Sequence, residues 1–169
     1  MIYPIVKFGD PVLEKPAVPI TVFDGELRKL VEDMFESMYA AHGVGLAAPQ
    51  IGVSKRIAVI DVTFKEDPDA KIVLINPEIV HTEGKLTSSE GCLSLPEFRE
   101  NVTRPRKVTA RGQDLEGKTV EVTGEELLAR ALVHETDHLN GKLYINHISA
   151  LKRDMIKRKI RKLMKQGEW

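Results

Sequence analysis

The chain has 169 residues, 42% of them hydrophobic and 30% charged, enough to bury a core without staples. Its 25 Lys and Arg balance 25 Asp and Glu, which argues against wholesale binding to nucleic acid or to a membrane surface. No run approaches the ~18 apolar residues of a membrane span, the start has neither signal- nor transit-peptide character, and the one cysteine, Cys92, excludes an internal disulfide and fits a reducing cytoplasm.

No repeat, low-complexity tract or linker divides the chain, so residues 1–169 are read as one domain. The first predicted helix follows Asp24, a good N-cap, with Leu27, Leu30, Val31, Met34 and Met38 at helical spacing. It should end near His42 and Gly43, where "GVGLAAPQIG" begins. Taken alone, that stretch is a loop of small residues whose glycines permit tight backbone paths, with Gln50 offering an amide donor. Residues 56–62, "RIAVIDV", and 71–80, "KIVLINPEIV", read as strands joined by a short polar turn. Cys92 follows Gly91, which lets the backbone approach closely, and precedes a strand-like "LSLP". Residues 107–123 alternate around "DLEG" as a hairpin. Thr123 and Glu126 have capping-box spacing ahead of the next helix, and Gly141 is its natural stop. Residues 150–166 form a third, basic helix. Strands in the middle with helices at both ends predict an α+β fold: antiparallel or mixed sheets packed around a central metal-binding helix, with an N-terminal and a C-terminal helix.

That central helix carries "HETDH". Positions four apart share a face, so His134 and His138 can aim both imidazoles at one ion, and Glu135 can reach a water there as general base. The bland alternative is a helix with two ordinary histidines. A catalytic site also needs a third protein ligand and an open position. Downstream, His147 is a poor candidate, because it must reach back past Gly141 and the apolar "KLYI". Upstream, Cys92 is the better one: a lone cysteine is commonly a small buried hydrophobe, but a helix already offering two histidines makes a soft thiolate the favoured third ligand. Leu127 and Ala131 fall on the same helical face as the histidines and would make an apolar wall, with Val44 opposite, suited to an unbranched side chain. Any single one of these apolar residues is more often ordinary core. The glycine loop and the Cys92 strand also offer backbone edges to which an extended peptide could add.

"GVGLAAPQ", "EGCLSLP" and "HETDH", in this order, closely resemble the three signature motifs of bacterial peptide deformylases, and the resemblance covers nearly the whole chain. It implies a hydrolase that removes the N-formyl group from the formyl-methionine of nascent polypeptides, by attack of a metal-activated water. It implies that Cys92, His134 and His138 bind one divalent metal ion, physiologically Fe2+, with Zn2+, Ni2+ or Co2+ able to replace it. It gives Glu135 the acid/base role, and Gln50 with the Leu93 backbone N–H the oxyanion site. Val44, Gly45, Gly91, Leu127 and Ala131 are the expected substrate contacts. The motifs show no departure from the family pattern, whereas Arg130 and Thr136 are not positions the resemblance fixes.

Between Lys152 and Lys165 stand eight basic residues and one acid, Asp154. The ordinary explanation is a solvated helix face docked through Leu151, Met155, Ile156, Ile160, Leu163 and Met164. A ribosomal RNA contact, which resembles a role proposed within the family, is the alternative. No membrane or DNA partner is expected. Two rival functions are open to this sequence: a zinc endopeptidase of the His-Glu-x-x-His type, which lacks a clear non-cysteine third ligand, and a non-enzymatic metal- or RNA-binding module, which leaves Glu135 and Gln50 unexplained.

Overall fold

The computed structural model describes residues 1–169. Asp24 caps helix α1 (Gly25–Ala40) by accepting the Leu27 N–H at 3.0 Å. Its buried stripe of Leu27, Val31, Met34 and Met38 packs on Leu46, Ile57 and Val59 of the sheet beneath.

That sheet has five strands, all paired antiparallel, in the order 45–47, 57–60, 72–83, 107–113 and 119–125 across the sheet. β1 (Gly45–Ala47) pairs on one side only, with β2 (Ile57–Ile60). All four residues of β2 are buried, because α1 covers one face of the sheet and a second helix the other. β3 (Ile72–Glu83) is longer than the sequence pattern suggested and carries register shifts near Asn76 and Pro77. β6 (Lys107–Gln113) and β7 (Thr119–Glu125) form the expected hairpin, whose turn is closed by Asp114 Oδ1 accepting from Glu116 and Lys118 N–H. A separate two-stranded sheet comprises β4 (Leu86–Cys92) and β5 (Leu95–Arg104).

Helix α2 (Leu127–Leu139) lies on the five-stranded sheet through Ala129, Leu132 and Leu139, against Ala58, Ile60, Leu74 and Val108. The small residues allow close approach of helix to strands. Gly141 ends α2 at φ +76°, where a Cβ would lie only 2.8 Å from the Glu14 carbonyl oxygen. Helix α3 (Ala150–Lys165) docks on the β4–β5 side through Ile156 and Ile160, which join Leu95, Val102 and Tyr144. Of the other apolar residues in the predicted stripe, Leu151, Met155 and Met164 are exposed.

Two expectations are corrected. Thr123 makes no capping box: β7 stays paired with β6 through Glu125, and the Thr123 hydroxyl pairs with that of Thr109 at 2.8 Å. The N-cap is Glu126 at φ +53°, with no side-chain cap. Pairing across the hairpin thus overrides a local capping preference. The glycine-rich stretch, read as a loop, contributes strand β1, too short to show a period in sequence.

Candidate metal centre and active site

Three chain segments converge on one point. α2 presents His134 and His138 from adjacent turns, and the end of β4 brings Cys92 to them. One ligand atom from each lies within 4.8 Å of the others. The Cys92 sulfur is 3.3 Å from His138 Nε2, which is 3.2 Å from His134 Nε2. Such edges suit three corners of a tetrahedron around one small ion, with the fourth corner open.

The surroundings fit a cation there. His134 Nδ1 is 2.7 Å from Glu90 Oε2, a contact that fixes the ring and turns its Nε2 toward the centre. Burial disfavours the charged His134 ring, but Glu135, the Cys92 sulfur and Glu90 outweigh burial and draw positive charge to this spot. Burial, reinforced by the His134 ring, holds His138 well below the ordinary histidine range, so it stays neutral with a lone pair to give. A thiolate and two imidazoles form a donor set that zinc, ferrous iron, nickel or cobalt can accept.

Glu90 anchors a buried polar network. Burial raises its carboxyl, but hydrogen bonds and charge from His134 and Arg104 hold it well below the usual carboxylate range. Arg104 reaches it through Nε and Nη2 at 3.1 and 2.7 Å, and through Nη1 donates to Asp137 at 2.8 Å. Arg130 adds a third charged contact at 2.7 Å. Sequence reasoning missed Glu90, Arg104 and Arg130, although Glu90 sits inside the "EGC" motif itself. The only available signal was an acid two residues before the candidate ligand.

Glu135 lies on the pocket side of α2, 4% exposed, with its Oε1 free of any protein partner. Burial drives its carboxyl up to about 7, against the pull of the His134 ring. Gln50 is held by the short helical turn Ala48–Ile51, its Oε1 accepting the Ala47 N–H at 3.0 Å. This turns its NH2 toward the Cys92 sulfur (3.5 Å) and the Ser94 hydroxyl (3.2 Å). The Leu93 backbone N–H donates to no protein acceptor. His147, the rejected ligand candidate, is committed elsewhere, with Nε2 2.9 Å from Asp137.

A cavity of about 530 Å³ opens onto this cluster. Its walls include Val44, Gly45, Gly91, Leu93, Leu127 and Ala131, together with Gln50, Cys92, His134 and Glu135. Every residue named from sequence as ligand, acid/base or substrate contact is therefore in this one place. His138 completes the set from beneath, 1% exposed.

The family model described as polypeptide deformylase matches residues 2–154. The chain belongs to that family. A peptide deformylase of Acidobacterium capsulatum is 64% identical over all of this chain and 99% of its own length. One from Bartonella quintana is 46% identical over 98% of this chain and 94% of its own. The crystal structure of a peptide deformylase from Legionella pneumophila superposes with a TM-score of 0.90 at 47% identity, covering 99% of this chain and 98% of that one. The Synechococcus elongatus peptide deformylase, solved in complex with actinonin, gives 0.87 at 37%, covering 98% and 88%. The chain is an enzyme of the deformylase family with an α+β fold, and its Cys92, His134 and His138 form a group able to hold a metal ion. No helix is long and apolar enough to cross a membrane.

Proposed function

We propose that this enzyme hydrolyses the N-formyl group from the N-terminal formyl-methionine of nascent polypeptides. The observation that carries the proposal is the Glu135 carboxylate, with its free Oε1, in a cavity lined by Cys92 and His134, with His138 completing their group from beneath. In this reading those three residues hold one divalent ion, physiologically Fe2+. When bound, such an ion supplies Lewis acidity and brings the pKa of water toward ~7. Glu135 takes a proton from the attacking water and delivers it to the departing amine. The Gln50 NH2 and the Leu93 N–H donate to the oxygen that becomes negative, each worth ~3 kcal/mol of barrier. The Ala47 N–H already fixes the Gln50 amide, so the oxygen need only replace the long 3.5 Å contact of its NH2 with the Cys92 sulfur.

The methionine side chain occupies the wall made by Leu127, Ala131 and Val44. The peptide beyond it runs extended, adding to β1, whose outer edge pairs with no strand. Gly45 and Gly91 leave the backbone room on either side. The whole chain, residues 1–169, acts as one catalytic unit in the cytoplasm. The exposed basic face of α3 serves as a contact for ribosomal RNA, which would weaken steeply with salt. A ribosome cosedimentation assay with and without α3 tests that contact.

The endopeptidase alternative draws no support from His147, which is held by Asp137. One assay separates the activities: anaerobically purified enzyme on formyl-Met-Ala-Ser, on the unformylated peptide, and on internal peptide bonds. Release of formate from the first alone supports the proposal, and cleavage of internal bonds overturns it.

A further inference from the structure

Arg130 is the α2 residue most fully engaged with the Cys92-bearing sheet. Its side chain is 7% exposed. Nη1 donates to Glu90 Oε1 at 2.7 Å and to the Val102 carbonyl at 3.0 Å, and Nη2 donates to the Leu86 carbonyl at 2.8 Å. Leu86 and Glu90 belong to β4 and Val102 to β5, so one guanidinium spans both strands.

This matters because β4 and β5 pair with no strand of the five-stranded sheet. No ladder of backbone bonds fixes the distance between Cys92 on β4 and the histidines on α2. Side chains must do it. Arg104 makes the reciprocal tie from β5 to Asp137 on α2, while also holding Glu90. Two guanidiniums from facing elements therefore grip one carboxylate, whose Oε2 meets His134 Nδ1. Arg104 already compensates the Glu90 charge, and burying a second cation carries its own desolvation cost. Geometry accounts for the second: a planar fork holds its donors in fixed directions toward acceptors on separate segments, whereas an ammonium is a compact charge with no such fixed span.

We propose that Arg130 is a positioning residue of the metal centre. By tying α2 to both strands of the small sheet and clamping Glu90, it sets the spacing of the Cys92 sulfur from the two imidazoles and aims the His134 ring. This rests on the reading that Cys92, His134 and His138 hold a metal.

The test uses Co2+ as probe, followed by its visible absorption and by chelator competition, on the full chain. The variants are Arg130→Met, Arg130→Lys, Glu90→Gln and the double substitution Arg130→Met with Glu90→Gln. Ser37→Ala, which loses buried bonding on α1 to Tyr3 and Asp33, neither of which belongs to the centre or its network, controls for general loosening. Arg130→Met should weaken Co2+ binding by about ten-fold and shift the absorption bands, as loss of outer hydrogen bonding to a ligand does. Arg130→Lys should recover part of that loss, and Ser37→Ala should change neither quantity. On the Glu90→Gln background, Arg130→Met should add little. Parental affinity and spectrum in Arg130→Met, full additivity with Glu90→Gln, or an equal loss in Ser37→Ala would each overturn the proposal. Should Arg130→Met not fold, parental affinity and spectrum in Arg130→Lys overturn it. If instead the parent binds no Co2+, or binds it equally after Cys92→Ser, the reading of the site itself fails.

Discussion

Gly45 stands against the carboxylate of Glu135, so closely that a Cβ on it would lie 2.5 Å from Oε2 and 2.9 Å from Cδ. The glycine is needed for space. Gly45→Ala should push the carboxylate aside while leaving the three ligand residues in place. A displacement of about 1 Å costs roughly 100-fold in rate. We expect kcat to fall by that order with metal content unchanged, measured by steady-state kinetics and metal analysis of one sample. An alanine variant with parental kcat would show that Glu135 tolerates displacement.

Asp61 is fully buried and accepts from the Tyr39 and Thr63 hydroxyls and from the Thr63 and Lys65 N–H groups. Burial pushes its carboxyl up, but these donors outweigh burial and bring it from 3.8 down to about 2. A depressed carboxyl stabilises the fold above its unfolded value and loses that contribution as pH falls through the folded one. Stability should therefore fall between pH 4 and pH 2 in part through Asp61. Asp61→Ala should cost about 3 kcal/mol near neutrality, by leaving buried donors unmet, and should flatten this acid limb. Urea unfolding across that range reads both effects.

The fold was legible wherever one local rule acted alone. Asp24 at a helix start, "DLEG" at a hairpin turn and the four-residue spacing of His134 and His138 each carry their meaning within a few residues. The capping box at Thr123 misled because cross-strand pairing with Thr109 claims the same residue, which no local pattern reveals. The Glu90, Arg104 and Arg130 network was illegible for a related reason. Its members lie 14 and 40 residues from Glu90, and charged residues ordinarily read as solvated surface. The site was visible as three motifs, but what holds them together was not.

Tyr144 is 1% exposed and its hydroxyl has no partner in the protein. An unmatched buried hydroxyl costs stability, whereas the ring packs with Leu95, Val102 and Ile156. Tyr144→Phe should be neutral or stabilising by up to about 1 kcal/mol. A thermal melt that drops by several degrees would contradict this and reveal a partner for the hydroxyl.

Metal removal should act on stability as well as on activity. A ligand that binds only the folded state stabilises it by mass action, about 2.7 kcal/mol at a hundred-fold excess over its dissociation constant. Chelation should abolish turnover and lower the melting temperature, and added Co2+ should restore both. In Cys92→Ser, chelation should leave the melting temperature nearly unchanged.

The central claim is that Glu135 moves the proton at a metal centre built by Cys92, His134 and His138. Deformylation of formyl-Met-Ala-Ser by Glu135→Gln, with metal stoichiometry measured on the same anaerobic preparation, tests it most directly. The expected result is one metal ion per chain, as in the parent, with turnover reduced by about 1,000-fold or more. Near-parental turnover in a metal-loaded Glu135→Gln enzyme would contradict the assigned mechanism.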